Sequence, residues 1–341
     1  MTTVTDLDDL PPLALSLGDP AGVGPELIAA AWAQREAADL PPFFVAGGAD
    51  VLRVAAAQRG LAVPVVELFH PAEAHQHFGF ALPVLAGADG AYSPGKPDRA
   101  GADLALASLT EAMQLVQRGE AAALVTAPIA KALLAEVGFD FPGQTEFVAA
   151  ACSYVPGDAV MMLAGPQLRT VPLTVHVALR DVPGLITAAL IERKARIVAM
   201  ALTRDFGIAN PRIAVAALNP HAGEQGRMGD EDSRIVAPAV AALAAEGIAI
   251  TGPHSADGLF TAHARGSYDV ALCMYHDQAL IPLKTLDFDA GVNVTLGLPI
   301  VRTSADHGTA FGIAGTGTAS AGAMIAAIKM AGECAMRRYG A

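Results

Sequence analysis

Short apolar runs alternate with longer helical stretches along nearly the whole chain, and that alternation narrows the fold more than any other feature. The runs LALSL (13–17), FFVAG (43–47), ALVT (123–126), VMMLA (160–164), TVPLTVH (170–176), RIAVAAL (212–218), DVALCMY (269–275) and VNVTLG (292–297) have the composition of buried strands. Helices are expected between them at about 25–36, 101–118, 182–205, 231–246 and 320–338, the third capped by Asp181 with Pro183 in its first turn. A mostly parallel α/β architecture follows, with some adjacent strands able to form hairpins. The 341 residues contain no internal repeat and no linker, so two lobes would have to be built by the chain crossing between them.

Charge and cysteine usage exclude several functions. A net charge of −12 without any Lys/Arg cluster repels nucleic acid and anionic membranes. The apolar run VAPAVAALAAEGIAI is broken by Glu246 and Gly247 before the ~18 residues that a membrane helix needs, so no membrane span is expected. The opening stretch MTTVTDLDDLPP carries acids where a secretory signal carries Lys or Arg, and it reads as a frayed leader. Cys152, Cys273 and Cys334 are odd in number and far apart, which fits neither a disulfide framework nor a thiolate zinc site. A cytoplasmic protein is expected.

Three of the strand-like runs end in histidine: His176 after TVPLTV, His221 after RIAVAALNP, and His276 after DVALCMY. Ligands of open α/β sheets collect outside the carboxyl ends of the strands, so side chains placed there converge although they are distant in sequence. Three imidazoles suit a divalent cation such as Zn²⁺, and three protein ligands leave a position open for substrate, as a catalytic metal site requires. Taken singly, each is more often a hydrogen-bonded loop histidine than a ligand.

Cations are few, and Lys284 and Arg302 flank Asn293 near the ends of apolar segments. Arg binds phosphate through its two-pronged fork and Lys as a point charge, although Lys284 can also face the C-terminal dipole of a helix at 277–286. SLGDPAGVGPEL (16–27) has a strand, glycine turn and helix start but lacks G-x-G-x-x-G, since Leu27 stands at the third glycine. GAYSPGKP (90–97) departs from a P-loop at Pro97. In PGQTEF (142–147), Thr145 is a candidate N-cap at a helix start. TSADHGTAFGIAGTGTAS (303–320) packs His307, glycines and hydroxyls into a loop such as a nucleotide would use.

Together, GDPAGVGPE, TAPIAK, GQTEF, TVHVALRDVP, NPHAGE, YHDQALIPLK, GVNVTLGLPIVRTSADHGTAF and IAGTGTAS closely resemble the 4-hydroxythreonine-4-phosphate dehydrogenase family of pyridoxal phosphate biosynthesis, in unbroken order from about residue 13 to 330. The resemblance implies an isocitrate/isopropylmalate dehydrogenase-like fold of two α/β/α lobes with a cleft between them, and a homodimer whose active site is shared across the interface. Approximate lobes are 1–140 plus 300–341 and 141–299. It implies metal ligands at His176, His221 and His276, for Zn, Mg or Co, and substrate contacts at Gln144, Thr145, Lys284, Asn293 and Arg302. It also implies NAD or NADP contacts at His307, Gly308, Thr309 and Ala310, in a superfamily that binds the cofactor without G-x-G-x-x-G. This sequence departs from the family at Gln144, where His is usual, and at Gln225, where glycine is commoner.

The implied reaction is oxidative decarboxylation of 4-phosphooxy-L-threonine by NAD(P)⁺, with Asp257 and Asp277 among the candidates for proton transfer. Related enzymes act on other phosphorylated hydroxy acids or on dihydrodiols. Taken without the resemblance, a three-histidine zinc hydrolase or a non-catalytic metal- or phosphate-binding protein would carry the same histidines.

Overall fold

The computed structural model describes residues 10–340, so positions 1–9 of the acidic leader lie outside the described residues. The chain divides into two compact units, one running to Pro156 and resuming at Leu298, the other Gly157–Gly297. Residues 141–156, placed in the second lobe from sequence, belong to the first unit.

The first unit holds β1 (Leu13–Ser16), β2 (Phe43–Ala46), β3 (Val65–Leu68), β4 (Leu82–Leu85), β5 (Leu124–Thr126) and β12 (Arg302–Ala305), in the order β3-β4-β2-β1-β5-β12. Every pair is parallel. Strands β1, β2, β4 and β5 are buried along their whole length, as apolar runs covered by helices on both faces must be. Helix Gly24–Ala33 is buried from Gly24 to Trp32, and helix Arg99–Gln117 starts where Asp98 accepts the Gly101 N–H at 2.8 Å. Phe43, Phe44 and Leu15 are fully buried here, each contributing about 1.5–3 kcal/mol of transfer free energy.

The second unit holds β6 (Val160–Ala164), β7 (Arg169–Pro172), β8 (Ile213–Ala216), β9 (Ile250–His254), β10 (Val270–Cys273) and β11 (Val292–Leu296), in the order β11-β6-β7-β10-β8-β9. Strands β7, β10, β8 and β9 run parallel, while β6 is antiparallel to both β11 and β7. The short link between β6 and β7 makes them a hairpin.

One expected helix is two. Val182–Leu185 forms a single turn, Ile186 is extended, and a longer helix begins at Ala188. Its cap is Thr187, whose hydroxyl accepts the Leu190 N–H at 3.2 Å, and the Asp181 side chain makes no capping bond. Thr187 wins because the chain straightens at Ile186 and must start the helix again. Among the described residues no helix is long and apolar enough to cross a membrane.

Candidate active site

Strands β7, β10 and β8 are adjacent and parallel, so their carboxyl ends share one edge of the second unit's sheet. His176 lies beyond the end of β7, His276 beyond β10 and His221 beyond β8. The rings of His176 and His276 approach with centroids 5.6 Å apart. Two imidazoles that share one ion at about 2.1 Å have centroids about 5 Å apart, so this pair has the spacing and the donor chemistry for a divalent cation. His221 is not gathered to them: among the described residues no group of three or more His, Cys, Asp or Glu side chains is placed to hold a metal.

His176 and His221 both have left-handed backbone, at φ 53 and 51. Histidine enters this region more readily than most side chains, at a cost of order 1–3 kcal/mol. The His221 loop continues left-handed through Ala222, Gly223, Glu224, Gln225 and Gly226. Buried Asp232 anchors its base: Oδ1 accepts the Leu218 N–H at 2.8 Å, and Oδ2 accepts the Asn219 N–H at 2.9 Å. His276 is the first residue of helix His276–Asp287, and its Nδ1 pairs with Asp277 Oδ1 at 2.7 Å. That pairing orients the ring and leaves Nε2 as the ligand atom.

His176, His276, Thr174, Tyr275, Leu179 and Val182 are among the residues around a cavity of ≈ 250 Å³. A shallower hollow of ≈ 390 Å³ joins His276 and Asp277 to Lys284 and Thr285. The two hollows share His276, so a ligand at the imidazole pair has an ammonium along the same helix. Asn293 is the second residue of β11, and its Oδ1 is buried without a hydrogen-bond partner. Such an orphan calls for a ligand or water. Asp257, exposed, is a weak base: the Ser255 hydroxyl donating to it at 2.6 Å holds its carboxyl below the usual range, helped by the Gly258 N–H and by His221.

In the first unit, Arg302 opens β12 and is 3% exposed. Its Nη2 donates to Thr126 Oγ1 at 2.7 Å and to Gln144 Oε1 at 2.8 Å, and Nη1 donates to Thr145 Oγ1 at 3.5 Å. These partners are neutral, and burial pushes the guanidinium down to about 10, partly offset by Glu146. Thr145 is not an N-cap: helix Gln144–Ala151 is capped by Gly143, and Thr145 lies inside it facing the arginine. Gln144 also donates to the Ala127 carbonyl at 3.0 Å, so its amide serves both groups, whereas a protonated imidazole at this position could not accept from arginine.

The 306–320 loop packs on the glycine turn after β1. Val23 N–H donates to the Thr309 carbonyl at 2.9 Å, and a Cβ on Gly22 would lie 2.9 Å from that same oxygen. Glycine is required for this approach. His307 Nδ1 contacts the Gly308 carbonyl at 3.0 Å, and its Nε2 is buried without a partner, an unmet polar atom of the kind a bound dinucleotide would satisfy. Gly308 faces open space, and Ala310 is left-handed at φ 47.

Sequence reasoning passed over Thr126, Asp232 and Lys194. Thr126 ends β5 inside TAPIAK, a neighbourhood that carried a signal. Nothing local marks Asp232 or Lys194.

Residues 39–331 match the family described as pyridoxal phosphate biosynthetic protein PdxA. The 4-hydroxythreonine-4-phosphate dehydrogenase of Erythrobacter litoralis is 62% identical, over 96% of this chain and 97% of that one. The crystal structure of the enzyme of that name from Klebsiella pneumoniae superposes with a TM-score of 0.84 at 39% identity, covering 95% of this chain and 99% of the other. A terephthalate 1,2-cis-dihydrodiol dehydrogenase from Burkholderia xenovorans matches at a TM-score of 0.62 and 29% identity, over 94% and 97% of the two chains.

Proposed function

This chain belongs to the PdxA family of 4-hydroxythreonine-4-phosphate dehydrogenases, oxidoreductases of pyridoxal phosphate biosynthesis, and on that footing we propose roles in the reaction for its histidine cavity and its buried arginine. NAD(P)⁺ takes a hydride from C3 of 4-phosphooxy-L-threonine while the C3 hydroxyl loses its proton. The resulting β-keto acid loses CO₂ and yields 3-amino-2-oxopropyl phosphate.

The observation that carries the site assignment is the imidazole pair His176–His276, 5.6 Å apart in a cavity at the strand ends. Together with a His221 side chain, which this chain does not itself gather to the pair, they would hold a divalent cation, Zn, Mg or Co. Such an ion, when bound, supplies Lewis acidity that lowers the pKa of the C3 hydroxyl and favours loss of CO₂. Asp277 fixes the ring of His276, and buried Val182 lines the same cavity. Arg302, with Thr145 and Gln144, is the proposed phosphate anchor of the first unit, Lys284 and Asn293 are the proposed substrate contacts of the second, and remote anchoring of the phosphate would be spent on orienting C3. His307 to Ala310 take the cofactor. A second copy of the chain completing the site, and a cytoplasmic setting, belong to the same reading.

The Burkholderia match keeps a dihydrodiol in view as a rival substrate. A dihydrodiol lacks the phosphate that the cation group would hold. The test follows absorbance of reduced nicotinamide with 4-phosphooxy-L-threonine and with the terephthalate dihydrodiol, using chelated enzyme before and after Zn²⁺, Mg²⁺ or Co²⁺ is returned. Turnover of the phosphorylated substrate restored by metal is expected. Full turnover in chelator removes the metal role, and preference for the dihydrodiol removes the phosphate assignment.

A further inference from the structure

Residues 306–320 form neither strand nor helix, so the course of this loop is set by what fastens it. The glycine turn holds it at the Thr309 carbonyl. Further along, the start of helix Gly24–Ala33 and the end of helix Ala49–Gln58 take over. Glu26 Oε1 accepts the Gly315 N–H at 3.4 Å, Gln58 Nε2 donates to the Gly315 carbonyl at 3.2 Å, and Arg59 Nη2 donates to the Ala319 carbonyl at 2.6 Å. Arg59 Nη1 lies 3.3 Å from Glu26 Oε2, and Glu26 is 1% exposed. Gly315 is left-handed at φ +74, and a Cβ there would lie 2.7 Å from Pro94 Cβ, so the 90–97 segment closes over the same turn.

We propose that Glu26 and Arg59 are positioning residues for the cofactor loop: their buried ion pair fixes Gly315 and Ala319, and so holds His307 to Ala310 in the course that a dinucleotide meets. The inference rests on the reading of those four residues as cofactor contacts. An ion pair that only fastened one helix to the other would have no need of the loop, yet each partner also spends a bond on it. Between the end of β12 at Ala305 and the tethered Gly315 the chain has residues 306–314 in which to turn, and Thr309 pins their middle. Letting go of Gly315 and Ala319 leaves the far half of the loop to swing about that pin.

Burial gives the pair its grip. Glu26 is sealed from water, so its charge is balanced by Arg59, and the guanidinium cannot swing out to solvent without stranding a buried carboxylate. Arg59 reaches that carboxylate through one nitrogen and the Ala319 carbonyl through another. A lysine keeps the charge but lacks the planar fork that divides it between two acceptors. Methionine keeps much of the length and offers neither contact.

The test titrates NADH and NADPH into full-length protein, following nicotinamide fluorescence, and measures deuterium uptake by the peptide covering 306–320. Wild type, Arg59→Met, Arg59→Lys, Gly308→Val and Leu243→Ala are compared. Leu243 is buried in the second unit, so its truncation lowers stability away from the loop. In Arg59→Met the loop should exchange faster and the reduced cofactor should bind about ten-fold more weakly, as it does when the competent course is only about one-tenth populated. Arg59→Lys should fall between. In turnover the loss should appear in KM for the nicotinamide cofactor, with kcat and KM for 4-phosphooxy-L-threonine within about two-fold of wild type. Gly308→Val should lose the cofactor, because its side chain enters the open space beside the loop. Wild-type affinity or wild-type exchange in Arg59→Met, when Gly308→Val has lost the cofactor, overturns the proposal. An equal loss of affinity in Leu243→Ala makes the effect one of general stability and also overturns it. Undiminished binding by Gly308→Val overturns the cofactor reading instead. If Arg59→Met does not fold, Arg59→Lys, which keeps the charge beside Glu26, decides.

Discussion

Arg302 reaches Thr126, Gln144 and Thr145, all neutral, through two nitrogens of one planar group. A lysine has no fork to share among Thr126, Gln144 and Thr145. Arg302→Lys should therefore raise KM for the phosphorylated substrate at least about ten-fold, the equivalent of about 1.4 kcal/mol, and change a non-phosphorylated analogue little; equal effects on both would deny the anion role. Gln225 stands at φ 58, where a side chain is strained. Gln225→Gly should stabilise the protein by up to about 1 kcal/mol in urea denaturation, because relief of the left-handed strain exceeds the entropy glycine adds to the unfolded chain. Lys194, buried behind β7, is pulled by desolvation from 10.5 to about 8, with Arg193 adding to the shift. Below pH 8 both folded and unfolded forms carry the proton, and the folded form bears the whole cost. Between about 8 and 10.5 the unfolded form binds more protons, so stability climbs with pH and then levels. Relative to Lys194→Met, wild type should gain up to about 3 kcal/mol across that window, read from denaturation at both ends of it; a constant difference would show that the ammonium does not titrate there.

The loop from Leu218 to Asp232 behaves as one element because its turns depend on glycine. A Cβ on Gly229, at φ +116, would lie 2.7 Å from Asn219 Nδ2, and a Cβ on Gly223 would lie 2.5 Å from the Gly229 carbonyl. Gly229→Ala should therefore cost about 1–3 kcal/mol and weaken metal binding at His221, whereas Gly258→Ala, in open space, should do neither. Titrating Co²⁺ against both variants separates loop strain from general damage. The eight apolar runs were readable as strands because strands covered on both faces have to be continuously apolar. Four strands were not readable. β3 is only half-buried, with charged Glu67 inside it; β4 contains Pro83; β9 contains Gly252 and Pro253; and β12 is RTSA, polar in composition yet buried. Arg302 lies in that last strand, which explains why its chemistry showed in the sequence and its setting did not. Histidines at strand ends were visible from local pattern, but the side chains that hold those ends, Asp232 and Lys194, act from other elements and leave no periodic trace.

At the scale of the whole molecule, the proposed roles divide between two units, one with a parallel and one with a mixed sheet: imidazoles in Gly157–Gly297, and a buried guanidinium and the candidate cofactor loop in the remainder. The near-complete match to the Erythrobacter enzyme fixes the activity, while the division of labour between metal, phosphate and cofactor groups rests on side-chain chemistry. Anomalous diffraction from zinc-soaked crystals, at the zinc edge, tests that division at its centre. One peak per chain is expected, within about 2.1 Å of imidazole nitrogens from His176, His221 and His276. A peak held by His176 and His276 with His221 turned away, or no peak at the strand ends at all, would contradict it.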